Sequence, residues 1–149
     1  MSSPPDVPGA SAFALHPQLA ADTAHVVHLP LCEVRLLLDA NHPWLVLVPR
    51  VVGAVELVDL SRSHQDALTG EIAQASRALQ ALFKPDKLNV AALGNVVPQL
   101  HLHVIARFTD DVAWPRPVWG AAPARPYAPE ALDERVARLR GALVARSSA

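Results

Sequence analysis

Apolar side chains along this chain follow two rhythms. Between residues 25 and 48 they come in short bursts. His25–Leu29 and Glu33–Leu38 are each a short β-type run, and Trp44–Val48 is an unbroken apolar stretch closed by Pro49. Asp39, Ala40, Asn41, His42 and Pro43 lie between the second and third runs and carry turn chemistry, so these two strands are expected to form an antiparallel hairpin. Past residue 60 the period lengthens. Leu68, Ile72, Ala75, Leu79 and Leu82 recur at steps of four, three, four and three, which lines them along one helix face. Ser63 followed by Asp66 reads as the start of that helix and Lys84-Pro85 as its end. Leu88–Leu93 and Leu100–Phe108 read as two more strands, parted by a Gly94-Asn95 turn. Leu132, Val136, Leu139 and Leu143 stripe a last helix near residues 130–145.

The predicted order is three strands, a long helix, two strands and a C-terminal helix. That is an α+β arrangement, an antiparallel sheet with helices packed on it. With 149 residues the chain fits one domain with a real core, expected over residues 13–149 behind a flexible N-terminal arm of residues 1–12. Prolines crowd residues 4–8 and 115–129. The second crowd, which includes Trp114-Pro115 and Val118-Trp119, is too apolar for a solvated linker, so it is expected to pack either on its own domain or across a dimer.

Bulk composition narrows the function classes. A net charge of -1 gives no basic excess for a nucleic-acid partner, and no apolar run approaches a membrane span. Cys32 is the single cysteine, which rules out an internal disulfide and a Cys-x-x-Cys metal pair. The N-terminus lacks a basic start and apolar run, so a cytoplasmic protein is expected. His25, His28 and Cys32 stand close in the chain but match no standard zinc spacing, and neither a metal nor a cofactor is expected.

The candidate chemistry lies in Gln99-Leu100-His101-Leu102-His103-Val104-Ile105. In a strand alternate side chains share a face, so Gln99, His101 and His103 form a polar row backed by Leu100, Leu102 and Val104. Neutral imidazole is a competent nucleophile near pH 7, and a neighbouring imidazole can donate to phosphate oxygens. Spacing alone leaves three readings open: solvated or structural histidines, a metal site opening with His-x-His, and catalysis.

This segment resembles the signature of the histidine-triad (HIT) family, three histidines alternating with apolar residues. Trp44-Leu45-Val46-Leu47-Val48-Pro49-Arg50 is similar to the family's apolar strand and Pro-basic pair, Leu88-Asn89-Val90 to its nucleotide-contacting strand, and Trp114-Pro115 to its Trp-Pro segment. The resemblance spans about residues 30–120. It implies a five-stranded antiparallel sheet with a long helix, and a homodimer. It also implies His101 as the nucleophile that attacks an α-phosphorus to form a nucleotidyl-histidine, with His103 as its positioning partner.

The chain departs from the family pattern in three places. Gln99 stands where most members have the first histidine; it can hydrogen-bond but cannot carry charge or relay a proton. Val51 and Val52 occupy the stretch where many members place another histidine. Asn95 lies near the place of a phosphate-contacting Ser or Thr, and Asn89 is the expected nucleotide contact. The resemblance therefore implies a hydrolase or transferase acting on a purine nucleotide or nucleotide conjugate, such as a dinucleoside polyphosphate or nucleoside phosphoramidate. The alternative is a catalytically degenerate purine nucleotide-binding module.

Overall fold

The computed structural model describes residues 12–147; the expected arm, apart from Ala12, lies outside the described residues. Five strands form one antiparallel sheet in the order β1-β2-β3-β5-β4. They are β1 (Thr23–His28), β2 (Cys32–Leu37), β3 (Trp44–Pro49), β4 (Lys87–Ala91) and β5 (Leu102–Arg107). The expected β2–β3 hairpin is present, with Val34 opposite Leu47 and Arg35 opposite Val46. β3 sits at the centre of the sheet, and all six of its residues are buried. An apolar run without alternation is what a strand covered on both faces needs.

One face carries the main core. Val34, Leu36, Leu45, Leu47, Leu100, Leu102 and Val104 pack there against α2 (Arg62–Phe83) and α3 (Pro129–Ser147). α2 presents the predicted stripe, with Leu68, Ala75 and Leu79 fully buried and Ile72 and Leu82 at its margin. Its start differs from the Ser63 expectation. Ser61 is the cap, its Oγ accepting from the N–H of His64 at 3.1 Å, which satisfies one orphan donor of the first turn. Lys84 closes the helix in a left-handed conformation (φ 50°), just before Pro85. Glu71 was invisible to the stripe reading. It is buried on α2, and its two oxygens accept from the N–H groups of Leu31 and Cys32 at 2.8 Å each, tying the helix to the β1–β2 turn.

A smaller cluster covers the other face: Leu19, Trp44, Val46, Val48, Val97, Ile105, Ala113 and Val118. Leu19 comes from α1 (Pro17–Asp22), a short helix that the sequence pattern did not announce. Ala113 and Val118 come from the Trp-Pro segment, so that segment packs on its own domain. Both strands around the Gly94 turn are shorter than predicted. β4 ends at Ala91, and β5 begins only at Leu102, because the N–H of Leu100 donates to Ala54 O at 3.0 Å instead of to a sheet neighbour.

Candidate active site

His103 lies on β5 opposite Val46 and Ala91, and His101 lies one residue before the strand. Leu100, Leu102 and Val104 enter the main core, so the alternation predicted for the segment holds. The two imidazoles are nevertheless not a solvated row. Each is 7 % exposed, and their ring centroids are 5.1 Å apart.

Their hydrogen bonds fix their protons. His101 Nδ1 lies 2.7 Å from the carbonyl oxygen of Gln99. A carbonyl only accepts, so Nδ1 carries the hydrogen and neutral His101 keeps its lone pair on Nε2. His103 is set the opposite way. The indole Nε1–H of Trp44 donates to His103 Nδ1 at 2.9 Å, which puts the hydrogen of His103 on Nε2. Burial, with His101 beside it, pushes the His103 pKa down to about 4. The pair is thus a basic Nε2 next to an Nε2–H donor. Trp119 packs edge-on against His103 at 5.1 Å and against Trp44 at 5.6 Å, closing an aromatic wall.

Gln99 is used differently from a triad histidine. Its Oε1 accepts from the N–H of His16 at 2.8 Å and its Nε2 donates to Ala14 O at 2.9 Å. The side-chain amide is therefore a clamp for the segment that leads into α1, and it is the main-chain carbonyl of Gln99 that holds His101. Among the expected nucleotide contacts, Asn89 lies on β4 opposite Ile105, and its Oδ1 accepts from Arg107 at 2.7 Å. What Asn89 can offer a ligand is its Nδ2. Asn95 is exposed in the turn before the histidine segment.

Behind Asn89 lies a buried polar hub that the sequence reading missed. Arg107 is 2 % exposed and donates to Asn89, to Arg116 O and, through Nε at 2.8 Å, to Asp111. Asp111 also accepts from the N–H groups of Phe108, Ala113 and Trp114. Burial opposes the charge on Asp111, but the Arg107 hydrogen bond and these N–H groups outweigh it and hold the carboxyl well below the usual range. His42 is buried nearby. Its Nδ1 is 3.8 Å from Asp111, too far for a hydrogen bond, and burial lowers its pKa despite that carboxylate.

One cavity opens on His101 and another lies against the aromatic wall. The first, of about 270 Å³, is lined by His101, Gly94, Leu93, Leu57 and Val58. The second, of about 370 Å³, is lined by Trp44, Trp119, Leu37 and Asp39. Trp44 therefore works both as core and as wall. Cys32 is buried by the main core, where burial and the Glu71 carboxylate push its thiol far up. It stays apart from His25 and His28, which instead approach Glu33. Among the described residues no helix is long and apolar enough to cross a membrane.

The HIT domain family matches residues 18–110, and the chain belongs to this family. Histidine triad proteins of solved structure are similar to it over nearly their whole length. The one from Bradyrhizobium japonicum is 48 % identical, with a TM-score of 0.86, covering 89 % of this chain and 98 % of that one. The one from Marinobacter aquaeolei is 47 % identical at the same TM-score of 0.86, covering 89 % and 97 %. The one from Sinorhizobium meliloti is 38 % identical, TM-score 0.86, covering 89 % and 98 %. No curated protein matches the chain.

Proposed function

We propose that this protein is a nucleotide hydrolase or transferase that cleaves at the α-phosphorus of a nucleoside phosphate ester or amide. One observation carries the reading: the Gln99 carbonyl, 2.7 Å from His101 Nδ1, leaves Nε2 as the free base. In the first step the Nε2 lone pair attacks phosphorus, the P–N bond forms and the bond to the leaving group breaks. In the second, water attacks the nucleotidyl-histidine, the P–N bond breaks and His101 is restored. His103 Nε2–H, on a neutral ring, is the hydrogen-bond donor that can steady a phosphate oxygen, while the leaving group takes its proton from water and the water of the second step returns one to solvent. Asn89 and Asn95 are the proposed nucleotide contacts, the aromatic wall of Trp44 and Trp119 suits a purine, and a homodimer is the proposed assembly.

A panel of dinucleoside polyphosphates and nucleoside phosphoramidates, followed by product chromatography, tests this reading. Nucleoside monophosphate is expected from at least one of them, and none from His101→Ala. The commitment of the Gln99 amide to backbone groups favours a second reading, a purine nucleotide-binding module. Tight nucleotide binding with no product from any substrate would select it. Light scattering at micromolar concentration reads the assembly, and a monomer mass would remove the dimer.

A further inference from the structure

A second cluster of metal-ligating side chains sits at one edge of the sheet. β1 is one of the two edge strands, and its pairing with β2 shifts register between His25 and Val27. In a regular strand residues three apart face opposite ways; a bulge of one residue restores them to the same side. His25 and His28 consequently stand on one face, opposite Arg35 and Glu33 respectively. One donor atom from each of His25, His28 and Glu33 lies within 4.8 Å of the other two. His25 Nδ1 is 2.8 Å from Glu33 Oε2, and His28 Nε2 is 3.7 Å from Glu33 Oε1.

We propose that His25, His28 and Glu33 form a binding site for a divalent transition-metal ion of the zinc type. Two imidazole nitrogens and one carboxylate oxygen are the borderline donor set such ions take. Bonds of about 2.0–2.2 Å require tetrahedral donors to lie about 3.4 Å apart, so a small rotamer adjustment suffices. The anchor is buried and the arms are exposed. The Glu33 side chain is 10 % exposed, while those of His25 and His28 are 43 % and 55 % exposed. Arg35 is the competing group. It contacts Glu33 Oε2 and is itself held by Thr23 Oγ1 at 2.6 Å and Thr23 O at 3.1 Å. That leaves Oε1, on the His28 side, as the metal ligand, and it makes the site weaker than one with an unshared carboxylate. Remaining coordination positions open toward a cavity of about 590 Å³ lined by His28, Glu33, Arg50 and His64, with room for water. A bound ion would staple β1 to β2 across the bulge.

Glu33 lies two strands from β5 and His25 and His28 lie three, lateral separations of about 10 and about 14 Å from the catalytic histidines, so occupancy of the site and their chemistry can be read separately. Zinc chloride titrated calorimetrically into the full chain, in a buffer without phosphate, tests it. The expected result is one saturable site per chain, with affinity lowered at least about tenfold in His25→Ala and in His28→Ala. It should be unchanged in His101→Ala, and zinc should raise the melting midpoint of the parent. His28→Gln keeps a side chain of similar reach and should also lose affinity, with circular dichroism confirming its fold. The proposal is overturned by absence of a saturable site, by binding that survives in both His25→Ala and His28→Ala, or by binding that disappears in His101→Ala.

Discussion

Trp44 Nε1–H donates to His103 Nδ1 across 2.9 Å, so an indole on β3 decides which nitrogen of an imidazole on β5 is protonated. The bond needs His103 neutral, since a doubly protonated ring has no lone pair to accept it. Trp44→Phe keeps the aromatic wall and removes the donor. The expected outcome is a mixture of His103 tautomers in the nitrogen chemical shifts, in place of one Nε2–H form. A neutral hydrogen bond of this kind is worth roughly 1–1.5 kcal/mol, so turnover should fall by about a factor of ten. An unchanged tautomer pattern would mean that Trp44 does not set it.

The same burial makes stability depend on pH. With a folded-state pKa of about 4 for His103 against about 6.5 unfolded, the unfolded chain binds more protons between those values. Stability is therefore full above pH 6.5 and declines as pH falls toward 4, by at most about 1.4 kcal/mol per pH unit from this group. His42, lowered in the same direction, adds to the decline. Denaturant titrations at pH 7.5, 6 and 5 check this, and His103→Gln should flatten the profile.

Gln99 separates a structural from a catalytic role. Gln99→Ala removes two hydrogen bonds to residues 14 and 16 but leaves the carbonyl that holds His101. A stability loss of about 1–3 kcal/mol is expected, together with a fall in turnover much smaller than that of His101→Ala. Chemical denaturation and initial rates measured on the same preparation decide this. Turnover as low as that of His101→Ala would make the amide itself part of the chemistry.

Asp111→Ala should be the most damaging polar substitution. It strands the buried Arg107 charge and frees three backbone N–H groups of the loop that carries Trp114. Breaking a buried pair this way costs about 3–5 kcal/mol. Thermal denaturation should show a clear drop in midpoint, and a near-native midpoint would show that Arg107 finds another partner.

What the sequence made legible follows from distance along the chain. β3 announced itself because five consecutive apolar residues, Trp44–Val48, suit a strand buried on both faces. His101 and His103 were legible because the alternation that places them is local. Trp44 and His103 are 59 residues apart, and Gln99 lies 83 residues from the N–H it accepts from, so neither relationship leaves a local pattern. Asp111 drew no notice in the sequence, because its role as a hub is set by the fold that buries Arg107, four residues earlier on β5. The edge cluster was hidden by the bulge. In an unbroken strand His25 and His28 would face apart, and their proximity in sequence pointed to Cys32, which the fold sends into the core.

The central claim is that His101 Nε2 attacks phosphorus. Rapid quenching during turnover of a nucleoside phosphoramidate or dinucleoside polyphosphate, followed by peptide mass spectrometry, reads it directly. A nucleoside monophosphoryl adduct on the peptide carrying His101 is expected in the parent, and none in a folded His101→Gly variant, which should also make no product. Turnover at the parent rate by that variant, or an adduct on a residue other than His101, would contradict the account.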